Sequence, residues 1–296
     1  MDLLAPLSSI AAVVVPVFLI AALGFGWSRA KLPYDSAFIT TFAINVSTPC
    51  LVFSSLARLT LGGDDLLTMA AASVGCMALA GLMATPILLA SRLPLRVYLP
   101  ALSFPNGGNM GIPVCLFAFG ETGMGLAVLF FATLAVLQFT IGPALAAGRT
   151  DAKQVLRTPV IYAVALAVLV LMTGFQPPQW VTNTTTLLGN CAVPLMLFSL
   201  GVALAGLRMQ GMMRSLAMSA LRLLLGFAAG LAVVELLGLE GTMRGVVLLE
   251  STMPVAVFNY LWALRYNNAP QEVAGMVLGS TALSFLTLPL LLAMVM

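Results

Sequence analysis

Two stretches of this 296-residue chain place helix-breaking and polar residues inside long apolar segments: residues 104–119 (FPNGGNMGIPVCLFAF) and residues 250–259 (ESTMPVAVFN). Proline lacks a backbone N–H, and glycine adopts dihedral angles that strain other residues, so we predict that a helix through either stretch unwinds near its middle. The predicted breaks lie at Pro105, Pro113 and Pro254. Unwound backbone at membrane depth is tolerated only inside protein or beside a hydrated cavity, so paired breaks predict a ligand site.

The chemistry expected at these breaks is the binding of an anion without a buried basic side chain. Each break begins a half-helix whose first N–H groups lack acceptors and whose N-terminus carries a partial positive charge. Neighbouring amides and hydroxyls add donors and acceptors. The predicted binding residues here are Asn106, Gly108, Asn109, Gly111, Pro113, Ser251, Thr252, Pro254 and Asn259. Close helix packing is an alternative explanation for the glycines, because small residues are common at contacts between membrane helices.

Glu250 is the carboxylate predicted to lie deepest, since it follows the apolar run GVVLL and precedes the second break. Burying it in ionised form would be costly, so an acid at this depth predicts a function. We expect Glu250 to carry a coupled proton or to help bind a cation. The alternative is a protonated or surface-reaching glutamate that only caps the second half-helix.

We predict no metal site, no cofactor and no enzymatic activity. The sequence contains no His, which excludes imidazole relays, His-ligated metals and Ser-His-Asp triads. The four cysteines are scattered singly in apolar segments, and this spacing favours small buried hydrophobes over a zinc site or a disulfide.

Composition predicts an all-α polytopic membrane protein, because 61% of the residues are hydrophobic and only 8% are charged. The net charge of +3 is too small to indicate nucleic acid binding, so we expect a lipid bilayer and a small ligand as partners. A span needs roughly 20 mostly apolar residues. Ten spans are predicted, at residues 8–27, 36–57, 66–90, 97–119, 122–147, 158–175, 183–206, 215–237, 243–264 and 272–295.

The basic residues predict the orientation of the spans. All of the 13 Lys and Arg residues except Arg58 and Arg244 follow odd-numbered spans, if Arg222 snorkels to that side. Because cytoplasmic loops collect Lys and Arg, we expect a multi-pass protein of the cytoplasmic (inner) membrane with both termini on the non-cytoplasmic side.

An internal repeat relates the two halves of the chain. The pattern Asn-x3-Pro-x3-Phe-Ser begins at Asn45 in the second span and again at Asn190 in the seventh. Five spans per half is an odd number, so residues 1–150 and 151–296 should form two inverted five-helix repeats in which spans 4 and 9 are equivalent. Asn45 and Asn190 either satisfy carbonyls freed by the following proline or line the cavity opposite the breaks as further binding residues.

Four motifs give the chain a resemblance to the auxin efflux carrier family, whose relatives include the plant PIN proteins and bacterial malonate carriers. The motifs are PVFLIAALGFGWSRAKL in the first span, NVSTPCLVF in the second, PNGGNMGIP in the fourth and STMPVAVFNYLWA in the ninth. The resemblance implies that broken helices 4 and 9 cross at their prolines beside the substrate, and that two chains form a homodimer. It also implies an elevator-type motion, in which a transport unit of spans 3–5 and 8–10 slides against a scaffold of spans 1, 2, 6 and 7. On this basis Asn45 and Asn190 belong to the scaffold, and Asn109, Pro113 and Pro254 to the moving unit.

The sequence therefore predicts a secondary active transporter of a small organic anion, such as a dicarboxylate or an auxin-like acid. The chain lacks the long central hydrophilic loop of the plant proteins, which favours a small carboxylate over auxin itself. Two alternatives stay open. One is sodium coupling, as in the similarly folded bile acid transporters, and the other is a membrane sensor that binds such a ligand without moving it.

Overall fold

The computed structural model describes residues 4–57, 63–148, 159–205 and 209–295. The regular structure of these residues is helical and contains no strand, which confirms the predicted all-α class. The helices are α1 (Leu4–Arg29), α2 (Ser36–Phe42), α3 (Thr48–Leu56), α4 (Gly63–Ala90), α5 (Leu95–Ser103), α6 (Ile112–Ala147), α7 (Pro159–Thr173), α8 (Gln179–Asn190), α9 (Ala192–Leu204), α10 (Met209–Leu237), α11 (Gly241–Thr252), α12 (Val257–Arg265) and α13 (Pro270–Val295).

Within the described part of the chain, four helices are long and apolar enough to cross a membrane. These stretches are Leu67–Ala90, Ala118–Ala147, Gly211–Leu237 and Pro270–Val295. Other predicted spans consist of two shorter helices in sequence, of 7 and 9 residues in α2 and α3 and of 12 and 13 residues in α8 and α9. Each of these is shorter than the roughly 20 residues that a single helix needs to cross.

Two wider, π-helical turns interrupt the regular helices. The turn Ala43–Ser47 joins α2 to α3, and the turn Gly107–Gly111 leads into α6. Each turn ends two residues before a proline, Pro49 or Pro113. Because proline cannot donate the hydrogen bond that an α-helix needs, the turn before it widens and its carbonyls seek other partners.

The helix α6 contains a sharp change of direction at Gly120, where φ is +64° and ψ is −155°. Residues with a side chain rarely adopt this backbone conformation, so glycine is required here. Residues 112–119 and residues 121–147 therefore run as separate helices joined by a one-residue turn, in the gap predicted between spans 4 and 5.

The helices pack in two groups, with fewer contacts between the groups than within them. The first group contains α1, α2, α3, α7, α8 and α9. In this group α1 and α9 approach each other closely, because Gly24 lies against the carbonyl of Phe198 and Gly201 against the carbonyl of Ala21. The second group contains α4, α5, α6, α10, α11, α12 and α13, and both predicted breaks lie in it.

The buried apolar residues form two clusters that meet where the second group leaves helical geometry. One cluster includes Leu102 at the end of α5 and Val257 at the start of α12. The other cluster includes Phe104, which follows α5, and Met253, which follows α11. The non-helical segments therefore lie at the boundary between two well-packed regions.

Candidate functional site

The chain leaves helical geometry twice within the second group. After α5, residues 104–106 separate the helix from the π-helical turn, and after α11, residues 253–256 precede α12. We call these two segments together the crossover. The flanking α5 and α12 are each only nine residues long.

The two segments of the crossover pair with each other as a short antiparallel bridge. The N–H of Asn106 donates to the carbonyl of Pro254 at 2.8 Å, and the N–H of Ala256 donates to the carbonyl of Phe104 at 3.2 Å. These reciprocal bonds satisfy backbone groups that would otherwise be buried without partners. The crossover is therefore a fixed structure, although neither segment is helical.

Two polar side chains reinforce the bridge. The Asn259 amide, 2% exposed, donates to the carbonyl of Phe104 at 3.1 Å. The Ser280 hydroxyl of α13 accepts a hydrogen bond from the N–H of Val255 at 3.0 Å. Asn259, predicted as a binding residue, thus ties α12 to the first segment.

Two half-helices begin at the crossover. The first N–H groups of the π-helical turn and of α12 have no acceptor within their own helix, so both ends carry a partial positive charge. Asn106 is buried beside these ends, whereas Gly108, Asn109 and Pro113 are partly exposed. The structure therefore brings most of the predicted binding residues of the first stretch to one place.

The predicted residues before the second segment are also buried. The Ser251 hydroxyl donates to the carbonyl of Leu248 at 3.2 Å. The Thr252 hydroxyl has no hydrogen-bond partner among the described residues. Thr252 therefore keeps a free polar group at the end of α11.

Glu250 is fully buried at 0% exposure, and its carboxylate lies against the turn Gly107–Gly111. A Cβ atom at either Gly107 or Gly111 would collide with this carboxylate, while one at Gly108 would collide with the Phe131 ring. Neither carboxylate oxygen has a hydrogen-bond partner among the described residues. Close packing thus accounts for Gly108, but Gly107 and Gly111 make room for an acid that comes from the other stretch.

Arg222 was missed as a site residue, and the prediction that it snorkels to a membrane surface is wrong. It is 0% exposed, and its guanidinium donates to the carbonyls of Leu102 and Ser251, each at 2.7 Å. The position of Arg222 in its helix indicates burial, because Arg222 is 13 residues from the start of α10, or about 20 Å at 1.5 Å per residue. That distance is too long for one side chain to span.

The remaining predicted residues lie apart from the crossover bonds. Asn45 is exposed in the first π-helical turn, and its amide donates to the carbonyl of Thr41 at 3.0 Å. The carbonyl that Pro49 frees in a helix is that of Asn45, four residues before it, so the bond to Thr41 does not satisfy a carbonyl freed by the proline. Asn190 is exposed at the end of α8.

Gln138 is a second buried polar residue that the sequence did not single out. It is buried on α6, and its amide nitrogen has no partner among the described residues. Residues four apart share a helix face, and the neighbours on this face are Leu134, which contacts Gly107, and Gly142, which contacts Trp262. Gln138 therefore lies on the face of α6 that packs against the crossover. In the described ranges, no three His, Cys, Asp or Glu side chains come together as metal ligands.

Comparisons with known proteins agree on a transport role. The family described as membrane transport protein matches residues 9–156 and residues 144–292. An uncharacterized transporter from Methanothermobacter thermautotrophicus is 31% identical over 279 residues, covering 86% of this chain and 88% of that protein. Another uncharacterized transporter, from Methanocaldococcus jannaschii, is 26% identical over 196 residues. That alignment covers 62% of this chain and 63%, less than two thirds, of the relative. The chain is an integral multi-pass membrane protein, and it belongs to the membrane transport protein family of auxin efflux carriers.

Proposed function

We propose that the protein is a secondary active transporter that moves a small organic anion across the cytoplasmic (inner) membrane. The observation that carries this proposal is the crossover, at which two half-helices begin side by side in buried surroundings. Paired helix N-termini near mid-depth offer an anion free N–H groups and positive dipole ends, while the buried Arg222 binds the opposite, C-terminal ends of α5 and α11.

The proposed architecture has ten spans in two inverted repeats, 1–150 and 151–296. Four of these spans are divided helices, namely α2 with α3, α5 with residues 112–119, α8 with α9, and α11 with α12. The two helix groups support an elevator-type mechanism, because the group that contains the crossover has few contacts with the other. One bond between them joins the Tyr260 hydroxyl to the carbonyl of Ser199 at 2.9 Å.

The proposed substrate is a small carboxylate, such as a dicarboxylate, held at the N-terminal ends of the two half-helices. Asn106, Asn109 and Asn259 supply amides beside these ends. Gly108, Gly111, Pro113, Ser251, Thr252 and Pro254 complete the proposed site. Asn45 and Asn190 are proposed to line the path on the static scaffold group, and a homodimer is part of the same proposal.

Glu250 is proposed as the residue that couples transport to protons. Its carboxylate is buried against glycine backbone and the Leu134 side chain near Gly107, without a hydrogen-bond donor among the described residues. An ionised carboxylate in such surroundings is costly, so we propose that Glu250 holds a proton in this conformation. Release of that proton then requires a conformation in which the turn Gly107–Gly111 and the end of α11 are accessible to water.

The test is malonate flux into proteoliposomes with and without a proton gradient. We expect the gradient to drive accumulation by the wild type, whereas Glu250→Gln, which cannot release a proton, should exchange malonate without accumulating it. Glu235→Gln is the matched control, because Glu235 is exposed on α10. Malonate flux that is unchanged by the proton gradient and by Glu250→Gln would show that Glu250 has no role in coupling. Malonate binding without flux would favour a sensor.

A further inference from the structure

Arg222 connects the ends of two helices that approach the crossover from different directions. Its two terminal nitrogens bind the carbonyl of Leu102, in the last turn of α5, and the carbonyl of Ser251, in the last turn of α11. The last carbonyls of a helix lack partners in that helix, and each helix C-terminus carries roughly half a negative charge. Two such ends side by side repel each other unless a cation lies between them.

The surface of α10 is shaped to bring the end of α11 to Arg222. Gly226 and Gly230 follow Arg222 on the same helix face at intervals of four residues. A Cβ atom at Gly226 would collide with the carbonyl of Ser251, and one at Gly230 with the Ser251 hydroxyl. The backbone of α11 therefore rests directly on α10, and the carbonyl of Ser251 in its last turn accepts from the guanidinium.

No carboxylate neutralises Arg222 within the described residues, where the ion pair found is between Arg214 and Glu272 at 3.3 Å. The charge of Arg222 is instead opposed by the two helix ends that it binds. Glu250, one residue before Ser251, lies against the glycine turn and not against the guanidinium. An acid and a base thus occupy separate places around the crossover.

We propose that Arg222 is a built-in cation that positions the crossover and occupies the place where a coupling metal ion would bind. Unwound carbonyls and half-helix C-termini are the groups that coordinate sodium in secondary transporters. Here the carbonyls of Leu102 and Ser251 are already taken by a permanent positive charge, which also repels a second cation. This inference rests on the proposed transport function and narrows it: coupling does not use sodium at the crossover.

The first experiment needs no substrate. Thermal unfolding of the purified protein is measured in sodium chloride and in choline chloride at equal ionic strength, for the wild type, Arg222→Ala and Arg214→Ala. We expect the Tm of the wild type and of Arg214→Ala to be the same in both salts. Arg222→Ala should unfold at a lower temperature and regain part of the loss in sodium, because two carbonyls and a space for a cation become free.

The second experiment separates charge from hydrogen bonding. Malonate flux is compared for Arg222→Lys, which keeps the charge, and Arg222→Gln, which keeps a donor without the charge. We expect Arg222→Lys to retain most of the flux and Arg222→Gln to lose about tenfold or more, as for a buried charge at a helix end.

A wild type whose Tm or flux increases in sodium would overturn the inference, as would an Arg222→Ala variant that is insensitive to the salt. Equal flux in Arg222→Lys and Arg222→Gln would also contradict it. If Arg222→Ala does not fold, the inference is still tested by the wild-type Tm in the two salts and by the flux of Arg222→Lys and Arg222→Gln. Absence of malonate flux in the wild type would instead count against the proposed function, and the Tm series would remain valid.

Discussion

At the scale of single residues, the proposed site contains two buried ionisable side chains that are accommodated by backbone. Gly107 and Gly111 leave space for the Glu250 carboxylate, and the ends of α5 and α11 receive the Arg222 guanidinium. The glycines are more than a hundred positions from Glu250 in the chain, and Leu102 is 120 positions from Arg222, whereas Ser251 is 29 positions from Arg222. The glycines are therefore as specific to the site as the charged residues.

Gly111→Ala tests the space reserved for Glu250. An added methyl group collides with the carboxylate, so we expect a loss of about 1–3 kcal/mol of stability, as for overpacked cores. We also expect a large loss of malonate flux. The measurements are the Tm in detergent and the flux in proteoliposomes.

The control for this substitution is Gly125→Ala in residues 121–147 of α6, where a Cβ atom meets nothing within 4 Å. Alanine favours a helix over glycine by roughly 0.5–1 kcal/mol, so Gly125→Ala should be neutral or stabilising. A Gly111→Ala variant as stable and active as Gly125→Ala would show that the close approach of the carboxylate has no functional role.

The sequence predicts only one of these two ionisable side chains as a site residue. Glu250 was predicted because an acid between apolar residues and a proline is unusual in any membrane helix. Arg222 was assigned to the surface, since its partners are backbone carbonyls of Leu102 and Ser251, and carbonyls leave no trace in a sequence. The distance of Arg222 from both ends of α10 indicates that it is buried. Counting basic residues on each side of the membrane does not use this distance.

At the scale of elements, the half-helices are too short to be stable alone. Isolated helices of fewer than about 12 residues are marginal in water, and α5 and α12 have nine each. Every residue of α12 from Val257 to Ala263 is buried, so packing and the crossover bonds hold it in place. The crossover is thus a structural support as well as the proposed site.

Asn259→Ala removes the bond that ties α12 to the carbonyl of Phe104. We expect a cost of about 1 kcal/mol in stability, the usual net value of one hydrogen bond, together with reduced malonate flux. Asn268→Ala is the matched control, because the Asn268 amide, in the connection between α12 and α13, donates to the carbonyl of Ala146 at 2.6 Å away from the crossover. Similar changes in Tm with a loss of flux only in Asn259→Ala are expected. Equal flux in both variants would argue against a site at the crossover.

The long helices were easier to predict than the local departures from them. The spans predicted at 66–90 and 272–295 agree with α4 and α13 to within three residues, because charged residues, proline or glycine flank these apolar stretches in the sequence. The π-helical turn Ala43–Ser47 was not predicted, because one extra residue per turn leaves an apolar segment equally apolar. Its neighbour Pro49 indicated a kink without indicating its form.

At the scale of the whole molecule, the proposed inverted repeat predicts which side of the membrane each loop faces. Labelling of single cysteines in cells and vesicles tests this prediction. Ser91, after span 3, and Glu240, after span 8, occupy equivalent places in the two proposed repeats and are both exposed. If the repeats are inverted, these positions lie on opposite sides of the membrane. The positive-inside pattern predicts that Ser91 is cytoplasmic.

The experiment introduces Ser91→Cys or Glu240→Cys into a chain with Cys50→Ser and Cys191→Ser, so that only the buried Cys76 and Cys115 remain. A membrane-impermeant maleimide should label Glu240→Cys in intact cells and Ser91→Cys only in inverted vesicles. Labelling of both positions from one side would contradict the inverted topology.

The reciprocal backbone bonds of Asn106 with Pro254 and of Ala256 with Phe104 have a consequence for selectivity. Because these backbone bonds join the two segments, the segments cannot open and close around a bound substrate. We expect the crossover to keep one geometry and to select acids by length and shape. The affinity for homologous acids that differ by one methylene should therefore depend mainly on the side chains that surround the crossover.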